Sequence, residues 1–141
     1  MTPTPRLSTI LRWSPVLLWY GAILLVSSIS GRRLDDVGID VPDKLVHAVE
    51  YGVLGFLIVR QRFLVVGRPA LRAVLGAMAV VAVLGAIDEI YQGFVPHRTP
   101  SVADWIADVV GAAAGAWIAT RFRRPPPTPV PSAGRRTRGP R

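Results

Sequence analysis

Asp43, His47 and Glu50 are spaced i, i+4, i+7, and Lys44, His47 and Tyr51 are spaced i, i+3, i+7. On a helix both sets share His47 and form one polar stripe. An imidazole among carboxylates and an ammonium suits proton transfer, the holding of an anionic head group, or interhelical hydrogen bonding. Asp88, Glu89 and Gln92 make a second polar turn, with Asp88 and Gln92 four apart, and Asp104 and Asp108 repeat that spacing in a third segment. Gly111 and Gly115 continue the face of the last pair as a small-xxx-small track that lets another helix approach closely. Between the second and third groups, YQGFVPHRTPSVAD is short, twice interrupted by Pro, and carries His97 and Arg98. Ser101 precedes Asp104 as S-x-x-D, the spacing of a helix-start capping box, so a cap is the structural role open to both. Arg98 is either an exposed loop charge or the ligand of a head-group or substrate anion. His47 and Glu50 either tie helices together or serve a functional site, and their depth in the chain's apolar segments favours the site.

The elements that carry these groups are apolar. The chain has 141 residues, of which 50% are hydrophobic, and its mean hydropathy is +0.37. A soluble protein with 17 Lys+Arg rarely reaches such a value. Trp13–Ser30 holds no charge and is long enough at about 1.5 Å per residue to cross most of a ~30 Å hydrocarbon core. Trp13, Trp19 and Tyr20 read as interface anchors there, with Arg12 snorkelling. Ala73–Ile87 is a second uncharged block, extended by Arg72 on one side and by Ile90 and Tyr91 on the other. Pro42–Arg60 and Ser101–Thr120 are spans polar at one end only, whereas a soluble bundle spreads charge along a stripe of every helix. The expectation is an all-α polytopic membrane protein with four transmembrane helices: residues 1–12 an amino-terminal segment, 13–120 the membrane domain and 121–141 a tail. A cleaved signal peptide is the competing view of residues 1–31, but the uncharged run exceeds a usual signal core and A-x-A is missing.

Charge orients the bundle. The net charge is +8 and the isoelectric point about 11.4, which taken alone suggests nucleic acid or a membrane surface. Seven of the arginines fall in residues 121–141, RFRRPPPTPVPSAGRRTRGPR, a stretch without acids that reads as a disordered, polyproline-like tail. Phe122 is the only aromatic among them, so no nucleic-acid partner is expected. With a cytoplasmic amino terminus, Arg6, Arg12, Arg60, Arg62, Arg68, Arg72 and the tail all lie inside. Arg32, Arg33, Lys44 and Arg98 remain outside, the first three among Asp35, Asp36, Asp40 and Asp43. The positive-inside rule therefore places both termini in the cytoplasm and every polar helix end on the opposite face. Glu50 then lies about 10 Å inward from Asp43. Several ionisable groups in spans imply a shared cavity, since each costs about 2.5–3.5 kcal/mol on insertion scales if it faces lipid. An excess of acids in that cavity is relieved by protonation or by a cation. With no Cys there is no thiolate zinc site and no thiol nucleophile, and no HExxH, nucleophile motif or phosphatase signature supports an enzyme. No cofactor or metal site is assigned, the sequence leaving open whether a metal occupies the acid cluster.

D-K-L-V-H-x-x-x-Y at Asp43–Tyr51, D-E-x-x-Q-x-F-V-P-x-R-T-x-S-x-x-D at Asp88–Asp104, and Gly111 and Gly115 beyond it resemble the VanZ-like family of small bacterial membrane proteins. The likeness spans the second to fourth helices and carries over to Asp43, Lys44, His47, Tyr51, Asp88, Glu89, Gln92, Arg98, Asp104 and Gly111. Asp108 departs from it, because the family usually has Asn there, and His97 stands where a small residue is commoner. The resemblance implies a bacterial plasma-membrane protein of the cell envelope, in a family named for resistance to the glycopeptide teicoplanin; it names no reaction.

Two functions compete. One is a non-enzymatic protein that holds an amphiphile or lipid-linked envelope component at a polar extracytoplasmic mouth formed by Asp43, Lys44, His47, Glu50, Tyr51, Asp88, Glu89, Gln92, Arg98, Ser101, Asp104 and Asp108. The other is a membrane enzyme on a lipid-linked substrate, with His47 or Glu50 as base and an Asp of the last helix as acid or metal ligand. In a purely structural bundle the same residues would only hold helices together. Transport is weaker still, since four short helices would have to oligomerise to make a pathway.

Overall fold

The computed structural model describes residues 5–29, 42–66 and 70–122, with the side chains of 5–9 and 62–66 left out. The expected disordered tail beyond residue 122, and Arg32, Arg33, Asp35, Asp36 and Asp40, lie outside the described residues. Four helices occupy nearly all of the rest: α1 (Pro5–Ser27), α2 (Asp43–Val66), α3 (Ala70–Gln92) and α4 (Val102–Arg121). There is no strand among the described residues.

Each expected span is a helix, and each helix is longer than its uncharged block. In α1, helix begins at Pro5, inside the segment expected to precede the first span, and continues through Pro15. Pro15 lacks the N–H that would bond the carbonyl four residues earlier, and the Ser14 hydroxyl donates to that carbonyl, Leu11 O, at 2.8 Å. The freed acceptor is satisfied and the helix runs on, as an apolar surround requires. α4 starts as the S-x-x-D spacing predicts: Ser101 is extended, and its hydroxyl accepts from the Asp104 N–H at 3.3 Å.

α1, α3 and α4 are long and apolar enough to cross a membrane. α2 has the length but carries Asp43, Lys44, Glu50 and Arg60 along with its apolar residues, and its composition alone does not qualify it. It is nevertheless the centre of the bundle, packing most extensively on α4, then on α3 and α1. Contacts alternate in direction. Trp19 meets Glu50 and Ala82 meets Trp105 across antiparallel neighbours, while Tyr20–Leu84 and Ser27–Asp88 run parallel along α1 and α3. The chain is an up-down-up-down bundle.

The α2–α4 contact depends on missing side chains. A Cβ at Gly111 would run into the Ala48 carbonyl, one at Gly115 into the Gly52 carbonyl, and one at Gly55 into Ala112. The expected glycine track of α4 thus meets a second small-residue track, Ala48 and Gly52, on α2, and the two backbones touch. Around this seam lie Leu54, Val59, Val81, Ala112 and Ala116, all buried.

Inside and outside are distributed as in a membrane protein. Leu17, Leu18, Leu25, Leu75, Val83 and Val110 are exposed, whereas Ser27, His47, Asp88, Glu89, Gln92 and Asp108 are buried. Water would reverse that arrangement. Trp19 and Tyr20 are not interface anchors: both are half-buried and donate inward, Trp19 Nε1 to Glu50 O at 2.8 Å and Tyr20 Oη to Leu84 O at 3.1 Å. Each fixes α1 to a neighbour through a main-chain carbonyl, where a polar atom without a partner would be costly in lipid.

Candidate functional site

Every buried ionisable group among the described residues sits at one end of the bundle, where α1 and α3 finish and α2 and α4 begin. Three linked sets of contacts build this end. In the first, His47 Nδ1 lies 2.9 Å from Asp108 Oδ1, joining α2 to α4, with 8% and 0% of the two side chains exposed. Tyr51 is parallel to the imidazole, with ring planes 6° apart and centroids at 6.4 Å. The Asp108 carboxylate fits because α3 presents Gly85 to it; a Cβ there would lie 2.7 Å from Asp108 Oδ2.

The second set joins α1 to α3. Asp88, fully buried, accepts through Oδ2 from Ser27 Oγ at 3.1 Å and from Gln92 Nε2 at 3.2 Å. Ser28 and Tyr91 hydroxyls meet at 2.8 Å beside it. The third lies at the α3–α4 turn, where Glu89 Oε2 accepts from the Ser101 backbone N–H at 2.6 Å. Asp104, one turn into α4, meets the Lys44 ammonium at 3.3 Å, on a lysine side chain that is 62% exposed.

The balance is acidic and unfinished. Asp88 Oδ1, Glu89 Oε1, Asp108 Oδ2 and Tyr51 Oη are buried without a hydrogen bond, and Asp104 Oδ1 has only the Lys44 ammonium at 3.3 Å. Buried oxygens left without a partner cost free energy. Among the described residues, Lys44 and Arg98 are the cations nearest to this end, and neither is buried. Arg98 Nε donates to Ile29 O at 3.4 Å, a long contact that ties the α3–α4 loop to the end of α1.

Of the residues singled out by pattern, Lys44, His47, Tyr51, Asp88, Glu89, Gln92, Ser101, Asp104 and Asp108 come together here. Asp43 does not: it is exposed at the first turn of α2, on the same stripe but above the rim. Glu50 is half-buried and its side chain makes no hydrogen bond among the described residues, while its main-chain carbonyl receives Trp19. Ser27 is the member that pattern missed. Within VSSIS it reads only as a small residue near a helix end, and its role follows from α1 running parallel to α3. Trp105 was equally silent; its Nε1 donates to Ala82 O at 2.8 Å and sets the depth of α4 against α3.

Chemically, the arrangement offers an imidazole oriented by a buried carboxylate, further carboxylate oxygens free to accept or to ligate, and a mobile ammonium at the rim. It contains no Ser or Cys nucleophile poised on the His47 imidazole among the described residues. Comparison with known proteins gives no match among curated proteins and none among solved structures. The model of one family, VanZ/LLP1, matches residues 7–123, which takes in α2, α3 and α4, all but the first two residues of α1, and every residue of the polar end. The chain belongs to the VanZ/LLP1 family.

Proposed function

We propose that this chain is a multi-pass protein of the bacterial plasma membrane, with all four helices crossing and both termini cytoplasmic, that binds an amphiphile or lipid-linked envelope component at its extracytoplasmic end. The juxtaposition of the polar end with an apolar groove carries this reading. The groove, about 450 Å³, runs along the α2–α4 seam between Ala48, Gly52, Phe56, Val110, Ala114 and Ile118. It begins one residue from His47, so an apolar tail lying in it would place its head near Lys44, His47 and Asp104. The four-span topology rests on α2 being wrapped by its neighbours, and on exposed Arg12, Arg60, Arg72 and Arg121 all lying at the end away from the acids.

Binding to nanodiscs that contain a prenyl phosphate, compared with zwitterionic nanodiscs, tests the reading. Preferential binding that falls about tenfold in Lys44→Ala or Arg98→Ala supports it, the loss of one charge-assisted contact being worth about 1.5–3 kcal/mol. Equal binding to both membranes, or no effect of either substitution, overturns it. An envelope role related to glycopeptide resistance further predicts that expression in a susceptible Gram-positive host raises tolerance to teicoplanin. The His47–Asp108 pair supports a second reading, a membrane enzyme in which His47 is the base. Turnover of lipid-linked substrates that survives Glu50→Gln and Asp104→Asn unchanged excludes the version that needs those acids.

A further inference from the structure

Three helices converge on one point within the polar end. A ring nitrogen of His47 on α2, a carboxylate oxygen of Glu89 on α3 and one of Asp104 on α4 all lie within 4.8 Å of one another. We propose that these three side chains form a binding site for a divalent transition-metal ion of the zinc class, with the imidazole held in place by Asp108. The site shares His47 and Asp104 with the head-group position proposed above, but metal binding is tested without any lipid-linked ligand.

Proximity of acids alone would not carry this; the state of each ligand does. His47 Nδ1 is committed to Asp108 Oδ1 at 2.9 Å, and Nε2 makes no hydrogen bond among the described residues. With the proton on Nδ1, the Nε2 lone pair is presented and the ring cannot turn, which is the carboxylate–histidine–metal arrangement of many metal centres. Glu89 is 7% exposed; one of its oxygens accepts from Ser101 N–H at 2.6 Å and the other, Oε1, is buried with no partner. A carboxyl group anchored on one side and bare on the other, inside a helical bundle, has the form of a ligand awaiting its ion. Asp104 Oδ1 has no partner but the Lys44 ammonium at 3.3 Å, on a side chain 62% exposed that a bound cation would displace toward the rim.

The donor set selects the class of metal. One imidazole nitrogen and two carboxylate oxygens suit zinc or a neighbouring first-row ion, whereas calcium and magnesium favour all-oxygen shells. Ligand atoms of a tetrahedral zinc site stand about 3.3 Å apart, from bonds of about 2.0–2.1 Å. Small rotations of the Glu89 and Asp104 carboxylates close the remaining gap, and the positions not filled by protein are left to water or to an anionic oxygen.

The test uses the full chain, purified in detergent, stripped with chelator and titrated with Zn²⁺ alone by calorimetry and with Co²⁺ by absorption. A single equivalent per chain is expected. Glu89→Gln and His47→Ala each lower its affinity at least tenfold, Asp108→Ala lowers it by about 10–100-fold through loss of the ring's support, and Arg60→Gln at the far end leaves it unchanged. The second measurement needs no change to the site. In His97→Gln the only histidine is His47, and bound Zn²⁺ protects it from diethyl pyrocarbonate. Absence of stoichiometric binding, unchanged affinity in a folded Glu89→Gln protein, or modification of His47 at the same rate with and without Zn²⁺ overturns the proposal.

Discussion

At the scale of single residues, Asp108 has the largest structural leverage. It is fully buried, holds His47 from across the bundle, and occupies space that Gly85 leaves open. An interhelical hydrogen bond in a membrane bundle is worth about 0.6 kcal/mol on average and up to about 1.7. Asp108→Ala is therefore expected to lower stability by about 1–2 kcal/mol, read as unfolding in mixed micelles, because it also leaves the imidazole without its acceptor. Asp108→Asn keeps an acceptor oxygen for Nδ1–H and is expected to lose less than half as much. Equal losses in the two variants would mean that charge, and not hydrogen bonding, holds the pair. His47, Asp104 and Asp108 were legible in the sequence because ionisable residues in an apolar helix have few reasons to be there. Ser27 was not, since a lone hydroxyl near a helix end is compatible with lipid, water or a partner. A three-helix metal set was equally invisible: its ligands are 42 and 15 positions apart, and no short motif records them.

At the scale of elements, periodicity and charge placed all four helices, and what they could not supply was the partner of each face. The glycine track of α4 announced a close approach, but only the fold names Ala48 and Gly52 as what it approaches. Gly115→Leu would drive a side chain into the α2 backbone, which has no rotamer to move aside. The expected cost is at least the ~1–3 kcal/mol of an overpacked core. A lower melting temperature in detergent checks it, with Gly76→Leu, where nothing lies within 4 Å of the added Cβ, as the neutral control. The α3–α4 loop holds a local detail that the sequence did not announce: His97 takes φ +62°, a conformation that most residues with a side chain avoid. Aromatic residues near α1's middle misled for a physical reason. Indole and phenol suit a membrane interface and an interhelical bond equally well, and sequence does not tell the two surroundings apart.

At the scale of the whole molecule, Arg12, Arg60, Arg72 and Arg121 lie at one end of the bundle and the buried acids at the other. On the proposed topology the +8 charge acts as an orientation signal, and it predicts which side each end faces. A carboxy-terminal fluorescent fusion should fluoresce, while a periplasmic reporter at that terminus stays inactive; the opposite pattern would invert the bundle and put the polar end in the cytoplasm.

The central place of α2 has a consequence for how the protein is made. The helix least suited to lipid is synthesised second, yet the surface that shelters its His47 and Glu50 stripe comes largely from α3 and α4, which emerge later from the ribosome. During translation α2 has only α1 beside it, and α1 touches it less than α4 does. On the proposed four-span topology, its entry into the bilayer therefore waits for the arrival of its partners. Offered alone to the translocon in a glycosylation-mapping assay, α2 should insert poorly, and extending the nascent chain through α4 should restore insertion.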